Sequence, residues 1–232
     1  MAHGMSDGAA ISLFGDGCRR LFRHLLGQEV STPRVAAAKR PDPPQLRASS
    51  GLREFWKAIQ SPQSLRILDL GSASQANVTF ITGLGHKLYT EDLLRTIQLS
   101  FPVNRPAAEF DPERFFQQNL NYTDGQFDGI LCWDLLDFLA DPLVKPLVEK
   151  LHRFLKPGGT VLSFFHTGQA GQVVPMFQYK IRSEATLQLR GQGTGQLHRH
   201  FNNRTIENLF RGFGSIKFYL TRDNLREVIS VR

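Results

Sequence analysis

The run Leu65-Arg66-Ile67-Leu68-Asp69-Leu70-Gly71 constrains this chain more than any other stretch, because an apolar segment ends in an acid and a glycine and leads directly into a helix. A short run of Ile and Leu bounded by turn residues reads as a strand buried on both faces. Gly71 lets the backbone turn sharply at the carboxyl end of that strand. The amide groups of the helix that follows then point at whatever lies above the turn, and they favour a carboxylate or phosphate there. This is how a nucleoside-binding α/β domain begins.

From here strands and helices alternate. The pattern predicts a helix over 74–83, a strand over 86–91, a helix over 92–99 and a short strand over 115–120. A buried strand over 127–133, a helix over 141–155 and a second buried strand over 160–165 follow. A helix at 205–211 and two strands, 216–220 and 228–231, joined at Arg222-Asp223-Asn224, close the chain as an antiparallel pair. Such alternation predicts a largely parallel sheet covered by helices on both faces. Upstream, Gly51 to Ile59 reads as a helix, and residues 31–50, with four prolines and no apolar period, read as a linker. Before the linker, Phe14, Cys18, Leu21, Phe22, Leu25 and Leu26 repeat at helical spacing opposite Arg19, Arg20 and Arg23. Residues 11–27 are thus expected to form a basic amphipathic helix, packed on its own domain or docked to a protein or an anionic membrane surface. The expected organisation is an N-terminal extension, 1–50, and one α/β domain, 51–232.

Composition narrows the function classes. With 232 residues, 41% hydrophobic and 21% charged, the chain suits one sizeable soluble domain, and no window approaches the roughly 18 apolar residues of a membrane span. The start lacks the basic lead and apolar core of a signal peptide, so a cytoplasmic location is expected. Cys18 and Cys132 are too few and too differently placed for a disulfide framework or a zinc site. The net charge of +7 lies in the flanks: residues 67–177 carry eight Lys or Arg against twelve Asp or Glu. That distribution weakens a nucleic-acid substrate without excluding it.

Several segments, in order, resemble the class I S-adenosylmethionine-dependent methyltransferases over roughly residues 51–232. Ile67-Leu68-Asp69-Leu70-Gly71 matches the first motif of that family. Leu88-Tyr89-Thr90-Glu91-Asp92 supplies two candidates, Glu91 and Asp92, for the acid that receives the ribose hydroxyls, a bidentate task suited to a carboxylate. Phe115-Phe116-Gln117-Gln118-Asn119-Leu120 is similar to the third motif, with Asn119 and Leu120 at the adenine. Gln126 through Trp133-Asp134 resembles the fourth-strand motif. Leu151 through Lys156-Pro157-Gly158-Gly159 to Leu162 resembles the helix, turn and fifth strand, and is the most specific match. The first turn departs from the pattern: Gly71 is followed by Ser72-Ala73-Ser74-Gln75, with Ala73 and Gln75 where the family has glycine, and Ser72 and Ser74 are also candidate helix caps.

The resemblance implies a three-layer, doubly wound, seven-stranded mixed sheet of Rossmann-like methyltransferase fold with an N-terminal helical extension. It also implies S-adenosyl-L-methionine as cofactor, held by Asp69, Gly71, Ser72, Ala73, Glu91, Asp92, Asn119, Leu120 and Trp133. Asp134 and His166, at the carboxyl ends of later strands, are candidates for substrate contact or proton removal. No Asn-Pro-Pro-Tyr type of segment follows the fourth strand, which favours a small organic acceptor over a nucleobase. Two alternatives stay open: a non-catalytic relative that holds a protein partner, and an RNA methyltransferase. His198 and His200 form a weak metal-ligating pair, Gly191 to Gly195 reads as a flexible lid or turn, and Phe177, Tyr179 and Phe201 are candidates for an apolar acceptor wall.

Overall fold

Strand β1 (Gln45–Ala48) and helix α1 (Ser50–Ala58) precede the leading strand, β2 (Arg66–Asp69), in this computed structural model, which describes residues 45–100, 111–221 and 223–232. Then come α2 (Gln75–Gly83), β3 (Lys87–Thr90), α3 (Leu93–Ser100), α4 (Pro112–Asn119), β4 (Phe127–Trp133) and a short 3-10 turn, Leu135–Phe138. Helix α5 (Asp141–Phe154), β5 (Leu155–His166), β6 (Val173–Ser183), β7 (Thr186–Gln196), α6 (Asn203–Leu209), β8 (Ser215–Leu220) and β9 (Leu225–Val231) complete the chain. The amphipathic helix expected at 11–27 lies outside the described residues. Among those described, no helix is long and apolar enough to cross a membrane.

Six strands form the main sheet in the order β3-β2-β4-β5-β9-β8. The first four run parallel to one another, and β9 runs antiparallel to both β5 and β8. Successive side chains on a strand face opposite ways, and the core divides accordingly. Leu68, Leu70, Ile130, Cys132, Val161, Phe165 and Val228 pack against α4, α5 and α6. Their chain neighbours Ile67, Leu131, Trp133, Leu162, Phe164 and Ile229 pack against α1 and α2 on the other face. The α/β architecture with helices on both faces is the expected one.

The expected seventh strand, 115–120, is helix α4 instead. Asp111 accepts from the amides of Glu113 and Arg114, and Pro112 occupies the first turn, so this Asp-Pro-Glu start outweighs the β-like run of aromatics. Phe115 and Phe116 both enter the core from one side of that helix. Two further segments differ from expectation. Residues 45–48, within the stretch read as linker, pair with β7, and β7 with β6, in a separate three-stranded antiparallel sheet. Residues 191–196, read as a lid or turn, are the second half of β7. Glycine fits that strand at 195 because a Cβ there would lie 2.7 Å from Phe138 Cε1 and 2.8 Å from Met176 Sδ.

Candidate active site

The carboxyl ends of β2, β3 and β4 open on a cavity of about 430 Å³ whose walls include Gly71, Ser72, Asp92, Trp133, Asp134 and Phe177. That volume falls in the range of small-molecule sites, ~300–1,000 Å³. Open α/β sheets take their ligands at this end of the strands.

Asp69 builds the floor and does not line the cavity. It is 1% exposed, and both oxygens are taken. Oδ1 accepts from the Gly71 amide at 3.0 Å and from the Trp133 indole Nε1 at 2.7 Å, and Oδ2 accepts from Asn77 Nδ2 at 2.9 Å. Burial raises the Asp69 pKa, and these three donors oppose the rise. Asn77 also donates to the Tyr179 carbonyl at 3.1 Å and accepts from the Ile181 amide at 2.8 Å, which ties α2 to β6.

Trp133 ends β4 with φ +52, a left-handed conformation costly for a bulky residue. Its indole stacks on the Tyr179 ring at 5.1 Å and 8°. A Cβ on residue 71 would lie 2.8 Å from Trp133 Cδ1 and 2.9 Å from its Nε1. The close approach that glycine permits at 71 is therefore made by this chain's own indole, and the cavity stays open beside it.

The hairpin of β6 and β7 bonds to the rest of the turn. Gln192 Nε2 donates to Ser72 Oγ at 3.0 Å, and Gln178 Nε2 donates to the Ala73 carbonyl at 2.9 Å. The expected serine caps do not form: the Ser72 hydroxyl serves Gln192, and Ser74 stands at the N-cap of α2 without a side-chain cap bond. Asp134 lies in the cavity wall, and the Tyr179 hydroxyl donates to its Oδ2 at 2.7 Å. Burial pushes the Asp134 carboxyl up to about 6, against the opposing pull of Tyr179 and His166.

Of the two ribose candidates, Asp92 lines the cavity, with Oδ1 accepting from the Arg95 amide at 3.2 Å. Glu91 turns away and accepts from the Tyr122 hydroxyl. Asn119 and Leu120 are not brought to the cavity. Because α4 is helical, Asn119 Nδ2 donates back to the Phe115 carbonyl at 2.8 Å, and Leu120 is sealed in the core.

His166 also stands apart from this cavity. Its Nδ1 lies 2.8 Å from Asp137 Oδ2, which accepts the His166 backbone amide at 2.7 Å as well. Burial raises the Asp137 pKa, and the His166 contacts oppose it. Sequence reasoning passed over Asp137, although a single acid inside the apolar run Leu135–Leu139 was a usable signal. Gln178 and Gln192 carried no such signal, since their partners lie more than a hundred positions away. Tyr179 and Phe177 do wall the cavity, whereas Phe201 is 1% exposed and packs on Phe165 at 4.9 Å. His200 Nδ1 is held by the Gly168 carbonyl at 2.7 Å rather than paired with His198.

A sequence model described as a methyltransferase domain matches residues 38–215. No curated protein matches the chain by sequence at a significant level. Among solved structures, 1,6-didemethyltoxoflavin-N1-methyltransferase from Burkholderia thailandensis is similar at 13% identity and a TM-score of 0.44, over 78% of this chain and 76% of that one. A methyltransferase from Archaeoglobus fulgidus has 10% identity and a TM-score of 0.46, over 78% and 91%. Human N-acetylserotonin methyltransferase has 14% identity and a TM-score of 0.43, over 79% and 52%.

Proposed function

The chain belongs to the methyltransferase domain family, and on that premise we propose that it moves a methyl group from S-adenosylmethionine to a small organic acceptor. The cavity at the strand ends carries this reading. With the indole seated on Gly71 it still keeps about 430 Å³, and it presents one half-buried and one buried carboxylate, Asp92 and Asp134. These fit a cationic aminoacyl nucleoside. When bound, that cofactor supplies an electrophilic methyl carried on a sulfonium.

Asp92 would hold the ribose, since its second oxygen has no partner among the described residues. Asp134, ionised above about 6 and fixed by Tyr179, faces the cationic end and favours it electrostatically. This is a cofactor-binding role, where the sequence suggested substrate contact or proton removal. The backbone of 71–73 flanks the tail, and Gln178 and Gln192 pin the hairpin to that turn. Positioning of that kind supplies much of what a methyl displacement requires.

The indole over Gly71 favours a second reading, a non-catalytic relative that keeps the fold to hold a partner. Calorimetry with S-adenosylmethionine and S-adenosylhomocysteine separates the two. Binding that weakens about tenfold or more in Asp92→Ala supports the enzyme. No heat at millimolar ligand leaves only the partner-binding reading. Salt-dependent binding of single-stranded RNA would replace the small acceptor by RNA.

A further inference from the structure

Helix α4 gives an adenine base no holder, since Asn119 is turned back on its own helix and Leu120 is sealed in the core. Helix α3 does wall the cavity: Leu94, Arg95 and Gln98 follow Asp92 among its lining residues. At 1.5 Å of rise per residue, Gln98 stands ~9 Å along the helix from Asp92, the scale of one nucleoside. Side chains on a helix tilt toward its N-terminus, so Arg95 and Gln98 lean back toward that acid. A ribose held at Asp92, with its tail against 71–73 and Trp133, leaves the α3 wall for the base.

The side chains on that wall suit a purine. Leu94 and Met176 pack against the small cluster around Phe138, and these three residues line the cavity as an apolar bed for a flat ring. Arg95 is exposed, and its guanidinium has no hydrogen-bond or ion-pair partner among the described residues. A planar guanidinium without a counter-charge stacks well on an aromatic face. The Gln98 carboxamide is likewise exposed and without a partner among the described residues, and it carries an acceptor and a donor side by side. That pair complements the 6-amino group of adenine and the ring nitrogen beside it.

We propose that α3 carries the adenine subsite, with the Gln98 carboxamide reading the 6-amino edge of the base and the Arg95 guanidinium stacked on its face, in place of Asn119 and Leu120. The inference rests on the methyl-transfer reading above. Gln98 is then the residue that sets the base specificity of the cofactor, and Arg95 adds affinity for any purine.

Calorimetry on the full chain compares S-adenosylhomocysteine with its analogue carrying purine in place of adenine, which lacks only the 6-amino group. The native protein should bind the adenine form about fivefold more tightly, the worth of one net hydrogen bond. Gln98→Leu, an exposed change between good helix formers, should bring the two ligands within about twofold. Arg95→Ala should weaken both alike, by about two- to fivefold. Asn119→Ala should keep the native preference. Equal binding of the two ligands to the native protein, a preference that survives Gln98→Leu, binding indifferent to Arg95→Ala, or a preference lost in Asn119→Ala overturns the proposal. As long as S-adenosylhomocysteine itself binds, each of these results removes the subsite alone. No heat from either ligand at millimolar concentration removes the methyl-transfer reading and the subsite with it.

Discussion

Replacing Asp134 by Asn should make the protein more stable at neutral pH while weakening its grip on a cationic cofactor. The carboxyl is 7% exposed, and burial takes it from 3.8 to about 6, which corresponds to ~3 kcal/mol. The sign follows from linkage: the folded state holds this proton more tightly than the unfolded chain. The group's contribution is therefore fully present below about 3.8 and is lost as pH rises through about 6. Asparagine does not ionise, and its Oδ1 can still accept the Tyr179 hydroxyl. Urea denaturation of both proteins at about pH 4 and about pH 8, with the slope m held common, gives the difference directly. Groups that do not interact with Asp134 titrate alike in both proteins and cancel from it. Asp134→Asn should gain ~2.5 kcal/mol on the native protein between the two pH values, and its affinity for S-adenosylmethionine should fall. A stability difference that stays constant with pH, or one that favours the native protein at high pH, would refute the reasoning.

Gly71→Ala should cost about 1–3 kcal/mol in thermal unfolding, because the new methyl meets the Trp133 indole; Trp133→Phe in the same chain should return part of that loss. Arg47→Met leaves the fully buried Glu227 without its counter-charge and should cost about 3–5 kcal/mol, most of it regained when Glu227→Gln is added, as a double-mutant cycle by urea denaturation would show. Burial pushes the Cys132 thiol up to about 12, so in a Cys18→Ser background the native protein should resist alkylation at about pH 8 and react only on unfolding, followed by mass spectrometry.

How far the sequence could be read follows from the range of each interaction. β4 and α5 were legible because their signals are local: a continuous apolar run, and an apolar stripe that ends at Phe154, just before Lys156-Pro157-Gly158-Gly159. Helix α4 carries an equally local sign, the Asp111 cap with Pro112 behind it, but the run of aromatics after it has the composition of a strand. The β1-β7-β6 sheet is another matter. Its strands mix Pro175, Gly191, Gly193 and Gly195 with polar residues, and β1 pairs with residues some 140 positions later, so neither composition nor period marks it. The site divides in the same way. Asp69, Gly71 and Asp92 stood out by their place at strand ends, while Asn77, Gln178 and Gln192 acquire meaning only once that hairpin lies over the turn.

The indole of Trp133 decides which pose a cofactor can adopt, and the balance can be worked out. Displacing the ring from Gly71 would break its hydrogen bond to the Asp69 carboxylate, worth ~1.5–3 kcal/mol, and its stacking on Tyr179, worth ~0.5–1.5 kcal/mol. A ligand that evicts the ring thus forfeits about 2–4.5 kcal/mol, or roughly 30- to 2,000-fold in affinity, against one that lies beside it. It would also leave the Asp69 carboxylate buried and short of one donor, which carries its own penalty. The cavity beside the ring is open, so the tail should rest against the indole and leave Gly71 covered. The chain has two tryptophans, Trp56 and Trp133, and the indole N–H resonance assigned by Trp133→Phe should keep its slow exchange with solvent when S-adenosylhomocysteine saturates the protein. Fast exchange of that proton on binding would mean the ring has swung out, and the energetic argument for its staying would be wrong.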